Sequence, residues 1–147
     1  MRQINQAGLD LIKRFEGCKL SAYRCPANIP TIGYGHTGPD VQMGLTITAE
    51  RAEELLRADL SKFERGVASA ATNPNDNQFA AMVSLAFNIG LGNFLRSSVL
   101  SNHNDGDQLS AAHSFHLWRK ARVKGVLREL PGLTRRRDAE AALYVKP

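Results

Sequence analysis

Apolar residues recur at Ile4, Leu11, Ile12 and Phe15, one face of a helix predicted from about Gln6 to Phe15 or Glu16, with Asn5 as its N-cap and Gly17 just past its end. Helical periodicity then stops. From Cys18 to Ile47 glycine and proline recur, and "KLSAYR" and "PTIGYG" read as short strands of a two- or three-stranded antiparallel sheet. Pro26 and Pro30 cannot donate to a ladder and so punctuate those strands. Thr48 opens a long helix over about 48–68, with Ala52, Leu55, Leu56, Leu60, Phe63 and Val67 on one face. At that length it spans ~30 Å and bridges two lobes.

After the loop "TNPNDN", Asp76 or Asn75 caps a helix whose stripe of Phe79, Met82, Val83, Ala86 and Phe87 faces a core; "NIGLGN" ends it. A short helix over about Phe94 to Leu100 follows. Asp107 then caps a helix carrying Leu109, Ala111, Ala112, Phe115 and Trp118, and a last helix covers about Arg135 to Tyr144. The fold class is α+β: a small antiparallel β lobe at about 17–47, the bridging helix, and a larger helical lobe at about 69–147 that includes helix one, all in one domain spanning 1–147.

Composition changes this picture little. The 147 residues carry 43% hydrophobic side chains and no apolar run near the ~20 residues of a membrane span, so stable membrane insertion is not expected. The start "MRQINQAGLDLIK" lacks the apolar core of a signal peptide, so export needs another agent or a segment outside this chain. The net charge of +5 favours polyanionic partners. A nucleic-acid binder would cluster its cations with aromatics on one face, whereas here they are scattered apart from "TRRR", so no nucleic-acid partner is expected. Cys18 and Cys25 are too few for a disulfide framework and have no zinc spacing; both are read as free, with Cys18 as a small buried thiol. No metal or other cofactor is called for.

The candidate chemistry lies in "FEGCKLSAYRCPANIPTIGYGHTG", which gathers Glu16, two thiols, the hydroxyl of Thr31 and the imidazole of His36 at the junction of helix one and the sheet. An ionised carboxylate is disfavoured at the negative end of a helix dipole, which is the tuning a general acid needs. A solvated glutamate at a frayed helix end is the plainer alternative. Glu16 is followed after eight residues by Cys25 and after five more by Thr31, in the setting of a helix end and a hairpin.

This pattern, with "GYGHTG", resembles the phage-type lysozymes, whose motif is Glu, eight residues, Asp or Cys, five residues, Thr. The likeness continues through "NQFAAMVSLAFNIGLGNFLRSSVL", "NDGD", "AAHSFHLW" and "GLTRRRDAEAALY", and so covers Ile4 to Tyr144; "RKARVKGVLRELP" corresponds least well. The resemblance implies a lysozyme-like fold with a cleft between the lobes. It also implies an endolysin muramidase that hydrolyses the β-1,4 bond between N-acetylmuramic acid and N-acetylglucosamine in peptidoglycan, with inversion, for host lysis. Glu16 would be the general acid and Thr31 the residue that holds a water on the opposite face of the sugar. Cys25 stands where many relatives carry Asp, and would position water or support developing positive charge, best as a thiolate.

By the same resemblance His36 pairs with Asp59 as structural support and Arg136 pairs with the catalytic glutamate. Phe87, Asn88 and Trp118 are candidates for a cleft wall, but aromatics at helical spacing are more often core, so only Asn88, polar at the end of an apolar stripe, is given a substrate contact. Arg135, Arg136 and Arg137 crowd what reads as a helix N-terminus, with Asp138 and Glu140 as local partners. The implied protein is a monomer, made in the host cytoplasm and acting in the periplasm after passage through holin lesions or by an N-terminal export segment. The competing reading is a peptidoglycan-binding module of the same fold that has lost catalysis.

Overall fold

The computed structural model describes residues 2–147, which divide into two compact units: Ile12–Lys62, and the residues up to Leu11 together with Phe63–Pro147. Helix α1, Gln6–Glu16, and helix α2, Ala49–Ala70, each run through the division.

In the unit Ile12–Lys62, α1 stops because Gly17 takes a φ of +70°, the left-handed conformation that costs glycine little, and returns its N–H to the carbonyl of Lys13 at 3.0 Å. Strands β1, Lys19–Arg24, and β2, Pro30–Gly33, then pair antiparallel, with Tyr23 opposite Thr31 and Arg24 opposite Pro30 and an irregularity toward Lys19. The other edge of β1 is also bonded: Ala22 N–H reaches Leu45 O and Ile47 N–H reaches Leu20 O, each at 2.9 Å, around an isolated Ser21 to Thr46 bridge. The third segment therefore pairs with β1 through a single bridge and does not extend into a strand. Ile32, Val41 and Leu55 make the small core here, with Ala22 and Ile47 packed on it, so alternate sheet residues and one face of α2 share a single apolar seam.

In the larger unit the central helix is α3, Asp76–Ile89. Asn75 caps it: its side chain accepts from Gln78 N–H at 2.8 Å while Gln78 accepts from Asn75 N–H at 3.0 Å, a reciprocal box that satisfies two otherwise orphaned donors. Helices α4, Leu91–Leu95, α5, Ser98–Asn104, and α6, Gln108–Ser114, follow, and Asp107 caps α6 through Ser110 N–H at 3.1 Å. The helix expected to carry Phe115 and Trp118 ends at Ser114, and a 3-10 turn over Phe115–Trp118 takes its place.

Two differences from expectation follow from turn chemistry. The stretch 120–129 folds as a hairpin of β3, Lys120–Val123, and β4, Val126–Glu129, around Lys124 and Gly125, which both have positive φ as a two-residue type I′ turn requires. Helix α7 runs Pro131–Tyr144, four residues earlier than expected, because Pro131 is preset for a first helical position and Leu130 provides an extended N-cap. The arginines at 135–137 therefore lie in its second turn and not at its N-terminus. α7 packs on α3 and buries Arg136, Arg137, Glu140 and Tyr144.

Candidate active site

Glu16, Cys25, Thr31, His36 and Asp59 all belong to the unit Ile12–Lys62. Glu16 is half-buried on the last turn of α1, with Oε1 over Gly35: a Cβ at that glycine would stand 3.5 Å from the oxygen, on a backbone with φ +86°. Any other residue at 35 would be strained by that backbone conformation, while its Cβ would meet the carboxylate only at ordinary contact distance.

Cys25 begins the tight turn between β1 and β2. Its carbonyl accepts from Asn28 N–H at 2.7 Å, its N–H reaches Ile29 O at 3.1 Å, Asn28 has φ +63°, and Arg24 donates to Asn28 O at 3.2 Å. The turn gathers donors around the sulfur. The Ile29 backbone N–H, helped by that of Ala27 and by the residue's own N–H, holds the thiol below its ordinary value although partial burial pushes the other way. Arg24 thus packs over the turn backbone, and amide dipoles lower the thiol.

Thr31 is 3% exposed on β2 and donates its hydroxyl proton to Ile29 O at 2.8 Å. A hydroxyl has one proton, so with that proton committed, Oγ1 turns its lone pairs toward an outside donor. The pairing of the strands and the short turn bring this oxygen and the Cys25 sulfur together from either side of five intervening residues.

His36 is held on both ring nitrogens: Nδ1 meets Asp59 Oδ2 at 2.8 Å and Nε2 meets Asp40 Oδ2 at 3.0 Å. Ionised carboxylates only accept, so both nitrogens donate and the imidazolium is favoured. Burial works against that charge, yet the bonds to Asp59 and Asp40 outweigh it and raise the histidine above its ordinary value; the same bond lowers Asp40. Asp40 was not expected. Its spacing of four from His36, across a Gly-Pro turn, is the only sign of it in the sequence. A second unexpected network joins Lys13 to Glu53 by an ion pair and sets its ammonium 5.8 Å from the Tyr34 ring centroid.

Asn88 and Arg136 belong to the other unit. Asn88 is exposed and lines a groove of about 260 Å³ with Ile89, Asn93, Trp118, Lys120, Ala121 and Leu133. Phe87 instead packs edge-on against Phe63, centroids 5.3 Å apart, both rings being half-buried. Arg136 is 3% exposed and donates to Glu140 Oε2 at 3.2 Å and to Ser84 O at 3.3 Å. Arg137 donates to the same Oε2 at 3.2 Å and to Trp118 O at 3.2 Å; its Nε lies 2.7 Å from Oε1, but off the line a hydrogen bond needs. Asp138, the other local acid, goes to His116 at 3.3 Å. Cys18 is exposed, not buried as expected, because it lies just past the Gly17 turn; like Cys25 it is a free thiol.

A family model described as phage lysozyme matches residues 13–140. The chain belongs to the phage lysozyme family. This lysozyme is 44% identical, over 96% of its own length and 97% of the relative's, to the endolysin of Acyrthosiphon pisum secondary endosymbiont phage 1. Among solved structures it is similar to the endolysin from Escherichia coli O157:H7 phage FAHEc1, with a TM-score of 0.93 and 42% identity over 98% of this chain and 94% of that one. It is also similar to a P22 lysozyme mutant, with a TM-score of 0.90 and 42% identity over 99% and 100%. The lysozyme is thus a hydrolase of the endolysin kind, whose members act on the cell wall. No helix among the described residues is long and apolar enough to cross a membrane.

Proposed function

We propose that this lysozyme cleaves the β-1,4 bond from N-acetylmuramic acid to N-acetylglucosamine with inversion, using Glu16, Thr31 and Cys25. Glu16 gives its proton to the glycosidic oxygen as the bond to the anomeric carbon breaks and the bonding pair leaves with that oxygen. A water held by Thr31 Oγ1 attacks from the opposite face. It loses a proton to the Cys25 thiolate, and solvent exchange returns that proton to Glu16. The observation that carries this reading is the Thr31 hydroxyl: its proton is committed to Ile29 O, so its lone pairs are left to accept from a water beside a sulfur that the turn makes easier to ionise than an ordinary thiol. A neutral thiol would do this poorly where relatives use Asp, and the amide-lined turn supplies what the missing carboxylate would.

The remaining assignments are supporting ones. Asn88, in its groove, contacts the glycan, and the His36 to Asp59 contact holds the "GYGH" turn on α2. Arg136 is assigned to support of the site by the family pattern. The enzyme acts as a monomer in the periplasm. Incubation with purified peptidoglycan and NMR of the nascent reducing ends tests the reading: the inverted anomer is expected, and a retained anomer overturns it. Absence of any reducing ends would favour a wall-binding module.

A further inference from the structure

The segment 119–129 holds five cationic side chains, Arg119, Lys120, Arg122, Lys124 and Arg128, against one acid, Glu129. It therefore contributes four of the five net positive charges of the chain, and the other residues are close to neutral. Within it only Arg119 is neutralised, by Glu129 at 3.4 Å; Lys120, Arg122, Lys124 and Arg128 make no ion pair among the described residues. The cations were expected to be scattered apart from "TRRR", but these lie together at 119–128 in the chain, and the hairpin sets them around one tip.

The same hairpin exposes aliphatic surface where a soluble turn is ordinarily polar. Val123 and Val126, opposite each other beside the turn, are 38% and 53% exposed, and Leu127 is 55% exposed. The register sets Val123 and Val126 on one face with Ala121 and Arg128, and Leu127 on the other with Lys120, Arg122 and Glu129. The tip is thus apolar on both faces and collared by cations. The base is anchored: Leu130 N–H bonds Arg119 O at 3.0 Å, and Lys120 and Ala121 line the groove with Trp118 and Leu133. Arg122 also donates to Gly125 O at 3.2 Å, which stiffens the turn.

We infer that this hairpin docks on an anionic phospholipid surface, with Val123, Val126 and Leu127 entering the headgroup boundary and Arg122, Lys124 and Arg128 on the phosphates. Charge complementarity alone would also suit wall carboxylates. The exposed aliphatics at the tip distinguish the two, since a hydrated polymer gains nothing from them, whereas an interfacial segment combines apolar insertion with cationic attraction. The inference is independent of the catalytic assignments.

The test is co-sedimentation of the full chain with vesicles of phosphatidylglycerol and phosphatidylethanolamine, against vesicles of phosphatidylcholine, with hydrolysis of purified peptidoglycan as a control that each variant is folded. At physiological salt the parent should partition at least about tenfold more strongly to the anionic vesicles. The variant R122Q/K124Q/R128Q should lose that preference, V126S/L127S should lose about tenfold in partitioning, and L127W should show a blue-shifted emission on the anionic vesicles only. Equal binding of the parent to both vesicle types would overturn the inference, as would unchanged partitioning of both multiple variants. Retention on peptidoglycan sacculi but not on vesicles, lost in the charge variant, would assign the hairpin to the wall polymer instead and overturn it as well.

Discussion

The turn carrying Cys25 and Thr31 and the cluster of Arg136, Arg137 and Glu140 solve opposite problems with polar groups. In the cluster two guanidiniums and a carboxylate that is 0% exposed are taken out of water together, with Ser84 donating to Glu140. Burial pushes the Glu140 carboxyl up and the Arg137 guanidinium down, and each opposes the shift of the other. These groups are locked in place. At the turn the sulfur keeps access to solvent and backbone amides adjust its ionisation, so the group remains available to react. Deeply buried charge is held by its partners, whereas the half-buried thiol is tuned by backbone amides.

Substitutions should separate the two regions by what they damage. The largest effect is expected for Glu16→Gln, which should lower the rate of turbidity loss of outer-membrane-permeabilised cells by about 10²- to 10⁴-fold with unchanged thermal stability; full lysis by this variant would remove Glu16 from the mechanism. Glu140→Gln should do the reverse. It removes the carboxylate that two buried guanidiniums share and should cost about 3–5 kcal/mol in urea unfolding, a large share of the ~5–15 kcal/mol of a domain this size. A stability loss within experimental error would show that the cluster is not what holds α7 on α3.

Thr31→Ala should reduce turnover by about tenfold to a hundredfold through loss of the held water, with KM little changed. An effect confined to KM would make Thr31 a binding residue. For Cys25→Ser we expect a smaller loss, about tenfold, and a changed pH profile. The activity of the parent should rise with pH through a value below the ordinary thiol value of 9.0, since the turn favours the thiolate, and the serine variant should lack that limb.

The smallest effect concerns stability at His36. Its raised value means that the pairing with Asp59 and Asp40 stabilises fully below the unfolded histidine value of 6.5 and is lost as pH rises through the folded one. Urea midpoints measured from about pH 6 to about pH 8 should therefore fall slightly in the parent, by less than about 1 kcal/mol in stability, and less in Asp59→Asn. A midpoint that rises over this range would contradict the paired imidazolium.

The elements that could be read along the chain are those set by local rules. The stripe from Phe79 to Phe87, the cap at Asp107, the stop at Gly17 and the glycine and proline punctuation around "PTIGYG" each express a period or a backbone preference that neighbours impose. The hairpin at 120–129 was locally legible too, since "VKGV" offers two turn residues between β-branched ones, but its flanking cations mask the alternation. At the site, motif spacing singled out Glu16, Cys25 and Thr31, whereas the second carboxylate on His36 did not stand out.

By itself the sequence determined the order and type of most elements, the family and the three candidate reacting groups, because periodicity, caps and fixed spacings are properties of neighbouring residues. Only the tertiary structure decided which groups meet. Strand pairing brought the Thr31 oxygen to the Cys25 sulfur and committed its proton to Ile29, and the packing of α7 on α3 made Glu140 the shared partner of two buried arginines. Burial and hydrogen-bond direction depend on segments far apart in the chain, and the ionisation of these groups follows from both.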